Sequence, residues 1–365
     1  MSWVASIARE IAEHGAVVRV TVICADGSTP RETGAAMQVS AGDVRDTIGG
    51  GALELEAIAH ARGLLASPSP RFSRGKGTWA APWQRDVRDF ALGPSLGQCC
   101  GGHTRLLFEV FTRRERPHLE ALAGNVDANR ALLLRPLESE APLQVAVDRR
   151  EHREERPLAV TRAARDMLSG ARARMPSLIR GGRGEAPWFV EPFAPRTWPL
   201  YIYGAGHVGR ALVRVLEDLP FVLTWVDTAA ARFPESVPPH AKAHVAPDPS
   251  AFAGDAAADA FHIVLTYSHA LDLAICHSLL RRDDARFVGL IGSRTKRARF
   301  VKRLGELGLG DAQIARLTCP IGIAGLPGKE PAKIAVAVAA QLVQLADASR
   351  ASSGAEHVLV EDSAR

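Results

Sequence analysis

The chain has 365 residues, a formal net charge of +5, 47% hydrophobic residues and 23% charged residues, which is typical of globular proteins. At roughly 100 to 200 residues per domain, this length predicts two or three domains. The 45 basic and 40 acidic side chains are interspersed, which argues against a nucleic-acid partner. Residues 334–340, the longest strongly apolar stretch, are too few to cross a membrane. Five cysteines are too few for a disulfide framework, so a cytoplasmic location is expected.

The first part of the chain predicts a mixed α/β domain over residues 1–147. Apolar residues at Trp3, Ile7 and Ile11 have the spacing of an amphipathic helix rather than a signal peptide. The following segments predict, in chain order, strands over 17–24, 35–40 and 44–48, a helix over 52–65, and strands over 103–111 and 131–135.

The rest of the chain predicts a connector, a second domain and a tail. A charge run at 148–156 and a Gly/Arg-rich stretch at 169–183 favour a solvated connector over 148–197. The α/β pattern that follows predicts a Rossmann-like, doubly wound parallel-sheet domain over 198–347, with strands at 200–203, 221–226, 262–266 and 287–291. Residues 348–365 are expected to form a flexible tail.

The motif YIYGAGHVGRAL has the spacing of a dinucleotide-binding turn between a strand and a helix. Gly204, Gly206 and Gly209 would permit the turn, the approach of a pyrophosphate and close packing of helix on strand. The N-terminus of the helix, at His207, would supply N–H groups to an anion. Asp227, at the end of the next strand, is the candidate acceptor for a ribose hydroxyl.

Three further candidates for ligand contacts follow later elements of the second domain. His269 follows one predicted strand and Arg294 follows another, and ligands of such sheets bind beyond the carboxyl ends of the strands. Lys329 precedes the last predicted helix. His269 is a candidate for proton transfer, and the two cations are candidates for contact with phosphate. Structural or solvated roles remain open for all three.

The string GQCCGG, with Gln98, Cys99, Cys100 and Gly101, places adjacent cysteines on a glycine loop. A core would need larger flanking residues, so this pattern favours a thiolate that meets a soft metal or takes part in sulfur chemistry. The spacing is not that of a closed zinc site. The other cysteines, Cys24, Cys276 and Cys319, are interpreted as buried apolar residues.

Gly49, Gly50 and Gly51, before a predicted helix, are candidates for an anion-binding nest, with Arg31 as its counter-charge. A hairpin and a helix start would need some of the same residues. Both interpretations of this segment remain open.

In its ordered set of motifs, the chain resembles the XdhC/CoxI family, the accessory proteins of molybdenum hydroxylases. The segments that carry the resemblance are GSTPRETGAAM (27–37), IGGGALE (48–54), GQCCGG (97–102), YGAGHVGRAL (203–212), TYSHALDLAI (266–275), GLIGSRTKRARF (289–300) and CPIGIAGLPGKEPAKIAVAVAAQL (319–342). The GKEPA segment resembles the xanthine dehydrogenase branch. Ala229 departs from the Arg that we expect in the family two residues after Asp227, and Arg232 is the candidate to replace it.

The resemblance implies a chaperone that is not itself an enzyme. Such a protein would bind molybdenum cofactor in its molybdopterin form, hold it during sulfuration and deliver it to apo xanthine dehydrogenase, within purine catabolism. Cys99 and Cys100 would lie near the molybdenum, and a glycine-rich cradle would take the phosphate. The implied partners are the molybdenum-bearing subunit of that enzyme, a cysteine desulfurase and a second copy of the chain.

The alternative hypothesis is an NAD(P)-dependent oxidoreductase. It would use Gly204, Gly206, Gly209 and Asp227 for the cofactor and His269 for proton transfer. A nucleotide bound by the Rossmann-like domain of a chaperone also remains open.

Overall fold

The computed structural model describes residues 3–66, 83–92, 101–125, 130–138, 141–147, 156–180, 182, 184–194, 197–326 and 328–352. The chain divides into two compact units, Met1–Pro195 and Arg196–Ser352. Within the described ranges, no helix is both long enough and apolar enough to span a bilayer. A mixed α/β first unit and a parallel-sheet second unit confirm the predicted fold class.

The first unit begins with a five-stranded antiparallel sheet of order β3-β2-β1-β5-β4. Its elements are α1 (Trp3–His14), β1 (Ala16–Asp26), β2 (Ala36–Val39), β3 (Val44–Asp46), α2 (Gly51–Ala66), β4 (Gln84–Ala91) and β5 (His103–Thr112). Strand β1 is rich in β-branched residues, and alternate side chains point to opposite faces. Val18, Val20 and Val22 pack with α2 on one face, and Ile23 packs on the other.

A second antiparallel sheet of order β7-β6-β9-β8 completes the first unit. Its elements are α3 (Arg116–Asn125), β6 (Leu132–Pro136), β7 (Gln144–Ala146), α4 (Leu158–Ser169), β8 (Ser177–Ile179) and β9 (Trp188–Pro192). Helix α4 packs on the outer face of this sheet, against Leu132, Leu134 and Val190. On the inner face, Phe189 packs with Leu107 and Ile23 of the first sheet.

The structure differs from the predicted connector over its described residues. Residues 158–192 provide α4, β8 and β9, and β9 pairs with β6 through the register Leu132 to Pro192. Val160, Ala164 and Met167 have the spacing of one helix face and are buried. These residues therefore complete the first unit instead of linking two domains. The predicted tail also differs at its start, because the last helix continues to Ser352.

Five buried charged side chains connect the two sheets of the first unit, and we call them the ion network. They are Arg19, Arg85 and Glu109 on the first sheet and Arg135 and Glu191 on the second. Glu109 accepts from Arg85 Nε at 3.0 Å and from Arg135 Nη1 at 2.6 Å. Burial alone would raise the pKa of Glu109, but the guanidinium groups of Arg135 and Arg85 hold it below its usual range.

The second unit is a parallel sheet of order β12-β11-β10-β13-β14-β15 with helices on both faces. Its elements are β10 (Trp198–Tyr203), α5 (His207–Val215), β11 (Phe221–Asp227), β12 (Ala241–Val245), α6 (Pro249–Gly254), β13 (Phe261–Val264), α7 (His269–Arg282), β14 (Phe287–Leu290), α8 (Arg294–Glu306), α9 (Asp311–Ala315), β15 (Leu317–Thr318) and α10 (Pro331–Ser352). Helices α5 and α10 cover one face, and α7 and α8 cover the other. The strand order reverses direction at β10, between β11 and β13.

We expect Glu109→Gln to destabilise the first unit by about 3 to 5 kcal/mol, because it leaves buried Arg85 and Arg135 short of counter-charge. Hydrogen exchange of the β5 amides measures the effect within this unit. The matched control is Glu120→Gln, which removes an exposed partner of Arg116 and should cost less than about 1 kcal/mol. Equal effects of the two substitutions would contradict the importance of the ion network.

Candidate functional site

Three glycine-rich segments converge at one edge of the five-stranded sheet. Strand β1 ends at Asp26 and β5 begins at His103, and these two residues are register partners. Residues 27–31 and 101–102 therefore lie side by side. A Cβ on Gly102 would come within 2.4 Å of the Ser28 carbonyl oxygen, so only glycine permits this approach of the two backbones.

The turn formed by residues 47–51 is the third converging segment. Gly49 has φ +120°, and a Cβ there would lie 2.3 Å from Cβ of Pro30. Arg31 Nη1 donates to the Thr47 carbonyl oxygen at 3.3 Å. Four of the predicted site residues, Arg31, Gly49, Gly50 and Gly101, thus lie on segments that the structure brings together, and Gly51 begins α2.

The predicted anion nest holds a carboxylate of the chain itself. Glu54 Oε2 accepts from the backbone N–H groups of Ile48 at 3.0 Å and Gly50 at 3.1 Å, and Gly49 N–H donates to Thr47 Oγ1 at 2.9 Å. Burial alone would raise the pKa of Glu54, but the hydrogen bonds from Thr47 and these backbone groups outweigh it and lower the pKa. An external phosphate would have to displace Glu54.

Arg31 is more accessible to an external anion than the nest is. Its guanidinium pairs with Glu32 at 3.1 Å, and the two side chains are 38% and 71% exposed. An exposed ion pair of this kind contributes at most about 1 kcal/mol, so an anionic ligand can replace Glu32 at little cost. Arg31 therefore presents a partly exposed guanidinium group at this edge.

The cysteine predictions have different outcomes. Gln98, Cys99 and Cys100 lie outside the described residues, whereas Gly101 and Gly102, at the end of the same motif, lie against residues 26–28. Cys276 and Cys319 are buried as predicted. Cys24 is not fully buried, and its Sγ donates to Asp26 Oδ2 at 3.2 Å.

The predicted glycine motif of the second unit lines a cavity of about 480 Å³ at the carboxyl ends of β10 and β13. Gly204, Gly206 and His207 contribute to its wall. Gly209 is buried, and a Cβ there would lie 2.2 Å from the Gly204 carbonyl oxygen, as close packing of helix on strand requires.

Asp227 also lines this cavity, but it already has partners within the chain. One carboxylate oxygen, Oδ2, accepts from Ala205 N–H in the glycine turn at 2.6 Å, and Oδ1 accepts from Thr228 N–H at 2.7 Å. Arg232 Nε lies 3.4 Å from Oδ1. Asp227 therefore holds the glycine turn against the end of β11 in addition to any role toward a ligand.

The remaining predicted residues of the second unit are not among those that line the cavity. His269 and Arg294 are exposed first residues of α7 and α8, and Lys329 is exposed before α10. The structure therefore gives no support to proton transfer by His269 in this cavity.

A buried cluster beside the cavity was missed by sequence reasoning. Asp272 accepts from Thr266 Oγ1 at 2.7 Å and from Lys296 Nζ at 2.6 Å, and Lys296 also donates to the Ile291 carbonyl oxygen at 2.8 Å. The cluster fixes Thr266 and Ile291, which both line the cavity. The available signal was a charged residue on the apolar side of each helix, Asp272 on α7 and Lys296 on α8.

These features define a two-unit α/β protein in which a Rossmann-type unit follows a unit with converging glycine turns. Family models match the chain in both units, as "XdhC and CoxI family" over residues 10–74 and "XdhC Rossmann domain" over residues 200–342. Together these two ranges span more than half of the chain, and the chain belongs to the XdhC and CoxI family.

Two relatives show how far this similarity extends. The uncharacterized protein YqeB of Escherichia coli is 31% identical over 152 residues, which are 40% of this chain and 27% of the length of YqeB. A solved structure described as a xanthine dehydrogenase from Bacillus halodurans matches with a TM-score of 0.72 at 20% identity. That match covers 95% of this chain and 96% of the other, and it shows a shared fold.

The Gly49 contact gives a matched test of the converging turns. Gly49 and Gly50 both have positive φ, but a Cβ on Gly50 would meet open space. We expect Gly50→Ala to cost about 1 kcal/mol and Gly49→Ala to cost at least about 1 to 3 kcal/mol more, through overlap with Pro30 and through its φ of +120°, which lies outside the left-handed helical region. Urea unfolding, monitored by hydrogen exchange of the β2 amides, measures the free-energy cost of each substitution. Equal costs would show that Pro30 does not constrain the turn.

The carboxylate in the nest predicts a pH-dependent stability. Because folding lowers the pKa of Glu54, its contribution is present above the unfolded pKa of about 4.3 and is lost as the pH falls through the folded pKa. We expect Glu54→Gln to be less stable than the parent protein by about 1 kcal/mol at pH 7, with the difference closing below pH of about 4. A difference that stays constant from neutral to acid pH would contradict this role.

Proposed function

We propose that this protein is an accessory factor that binds molybdenum cofactor as cargo, holds it during sulfuration and delivers it to apo xanthine dehydrogenase. Membership of the XdhC and CoxI family supports a role in the maturation of xanthine dehydrogenase. The observation that carries the finer proposal is the convergence of segments 27–31, 47–51 and 101–102 at one edge of the first unit.

The chemistry of this edge fits the cargo. Molybdopterin carries a phosphate and a dithiolene that holds the metal, so a carrier needs a cation or N–H donors for the phosphate and a soft group near the metal. Arg31 is the proposed phosphate contact, since its exposed pairing with Glu32 is easily exchanged. Gly49 and Glu54 position this contact by holding the turn against Pro30.

Cys99 and Cys100 are the proposed groups near the molybdenum. The motif that contains them ends at Gly101 and Gly102, which lie next to residues 26–28. Arg31 follows these residues by three positions in the sequence. Thiolates suit a soft metal centre. The proposed partners are the molybdenum-bearing subunit of xanthine dehydrogenase as recipient and a cysteine desulfurase as sulfur donor, with the protein acting as a cytoplasmic homodimer and not as an oxidoreductase.

The decisive experiment is purification from cells that make molybdenum cofactor, followed by molybdenum and pterin analysis. We expect both to copurify with the parent protein. The double variant Cys99→Ala/Cys100→Ala should carry at most about one tenth of the molybdenum of the parent protein, as expected when groups close to a metal are lost. It should also fail to activate apo xanthine dehydrogenase.

Cys24→Ser is the matched thiol control. Burial and the Asp26 carboxylate raise the pKa of Cys24, so it is a poor thiolate at neutral pH, and its replacement should leave cargo loading unchanged. The proposed function would be overturned if the parent protein copurified with neither molybdenum nor pterin and also failed to activate the apo-enzyme. Full loading of the double variant would remove only the role of the cysteine pair.

A further inference from the structure

A further cavity of the second unit runs along α7. It has a volume of about 460 Å³ and lies between α6, α7 and Leu307, the residue that follows α8. Its residues on α7 lie between positions 270 and 281, opposite the buried side of that helix, so it extends for about 16 Å, or three helical turns. We call this cavity the α7 groove. Its lining residues differ from those of the cavity at the glycine turn.

The α7 groove has an apolar part that is open to solvent. Its apolar lining residues are Ala251, Ala270, Leu273, Ala274 and Leu307. Leu307 is 53% exposed and Leu273 is half-buried. Polar residues, among them His277 and Arg281, complete the lining. Apolar surface that is rimmed by polar residues marks interaction sites in proteins.

A row of cations on α8 leads to this groove. Arg299, Arg303 and Leu307 follow one another at four-residue spacing, which places them along one side of the helix. Arg299 and Arg303 are exposed, and Leu307 lines the groove. Arg281, in the last turn of α7, is exposed and lines the groove as well. The apolar part of the groove therefore continues into a positively charged surface.

The charges of α8 are not balanced within the helix. It contains six basic residues and one acidic residue, Glu306. Lys302 and Arg303 share this carboxylate, at 4.0 and 3.7 Å. Arg299 and Arg303 are four residues apart, a spacing at which like charges on a helix repel each other. Carboxylates of a bound partner would relieve this repulsion.

The acidic residue that lines the α7 groove lies on the α6 wall and already has partners. Asp248 Oδ1 accepts from the N–H groups of Ser250 at 2.9 Å and Ala251 at 3.3 Å, and from Ser250 Oγ at 2.6 Å. These hydrogen bonds cap α6. The charge that the groove offers to a partner is therefore the positive charge on the side of α7 and α8.

We propose that the α7 groove and the cation row of α8 dock an acidic amphipathic helix of a protein partner. An apolar side chain of that helix occupies the groove beside Leu273 and Leu307. Its carboxylates face Arg281, Arg299 and Arg303. Apolar grooves bind amphipathic helices in this way, and charges at the rim set orientation and association rate. The proposal does not depend on cargo binding by the first unit.

Fluorescence anisotropy of the full chain tests the proposal with a labelled synthetic helix of about 18 residues, with leucine on one face and glutamate on the other. We expect this glutamate peptide to bind. Arg299→Gln/Arg303→Gln should weaken binding about tenfold at low salt and have little effect near 1 M salt, where charges are screened. Leu307→Gln should weaken binding about tenfold at both salt concentrations, because the burial of apolar surface is not screened.

The matched controls change the same residue types at other exposed positions of the second unit. Arg214→Gln/Lys242→Gln removes two charges from α5 and β12, and Val336→Gln removes a side chain on α10 that is 48% exposed. Both should bind the peptide like the parent protein, and the melting temperature of each variant shows that it is folded.

Several outcomes would overturn the proposal. They are no binding of the glutamate peptide at millimolar concentration, equal binding of the same peptide with lysine in place of glutamate, and no loss of affinity in the arginine or leucine variants. Tighter binding of a DNA duplex or of phosphatidylserine vesicles than of the glutamate peptide would overturn the assignment of a protein partner.

Discussion

The register between β1 and β5 is the constraint on which the first unit and its site depend. Arg19 on β1, Glu109 on β5 and Arg85 on β4 are cross-strand partners, and all three are buried on the face that meets the second sheet. A slip of one residue would turn these side chains to the opposite face, against α2. The ion network thereby disfavours a slip of one residue, and the observed register, with a bulge between Val22 and Cys24, brings the end of β1 next to the start of β5 and places Gly27 against Gly102.

The sequence pattern predicted the strongly apolar strands β1, β5 and β6, and it missed the polar strand β4 and the apolar strand β9. Strand β1 was recognisable from its run of valines. Strand β9 was not, because its partner β6 lies more than fifty residues away and its segment follows a Gly/Arg-rich stretch. Arg135 and Glu191 interrupt apolar strands with single charges. The two charges pair with each other within the second sheet and with Glu109 and Arg19 of the first sheet, and single charges inside apolar strands are a local sign of such buried ion pairs.

In the candidate sites, residue spacing predicted the backbone turns but did not predict which side chains contact each other. The glycine spacing correctly predicted the turn at Gly204, and the position of Asp227 at a strand end was correctly predicted as well. The internal partner of Asp227 was not foreseen, since spacing carries no information on which donor a carboxylate reaches. The Asp272–Lys296 pair joins the first turns of two helices, so each segment shows one charged residue on its apolar side and does not show which residue is its partner.

Two glycine turns in the described part of the chain are each held by a carboxylate of the chain itself. Glu54 accepts from Ile48 and Gly50 in the first unit, and Asp227 accepts from Ala205 in the second. Each carboxylate satisfies N–H groups that would otherwise need water or a ligand, so both turns keep their shape before any ligand arrives. The same hydrogen bonds place a negative charge beside each turn, and a phosphate that binds there needs a cation close by. Arg31 and Arg232 are cations that the structure places next to these turns, so each turn combines a fixed carboxylate with a guanidinium group that is 38% exposed.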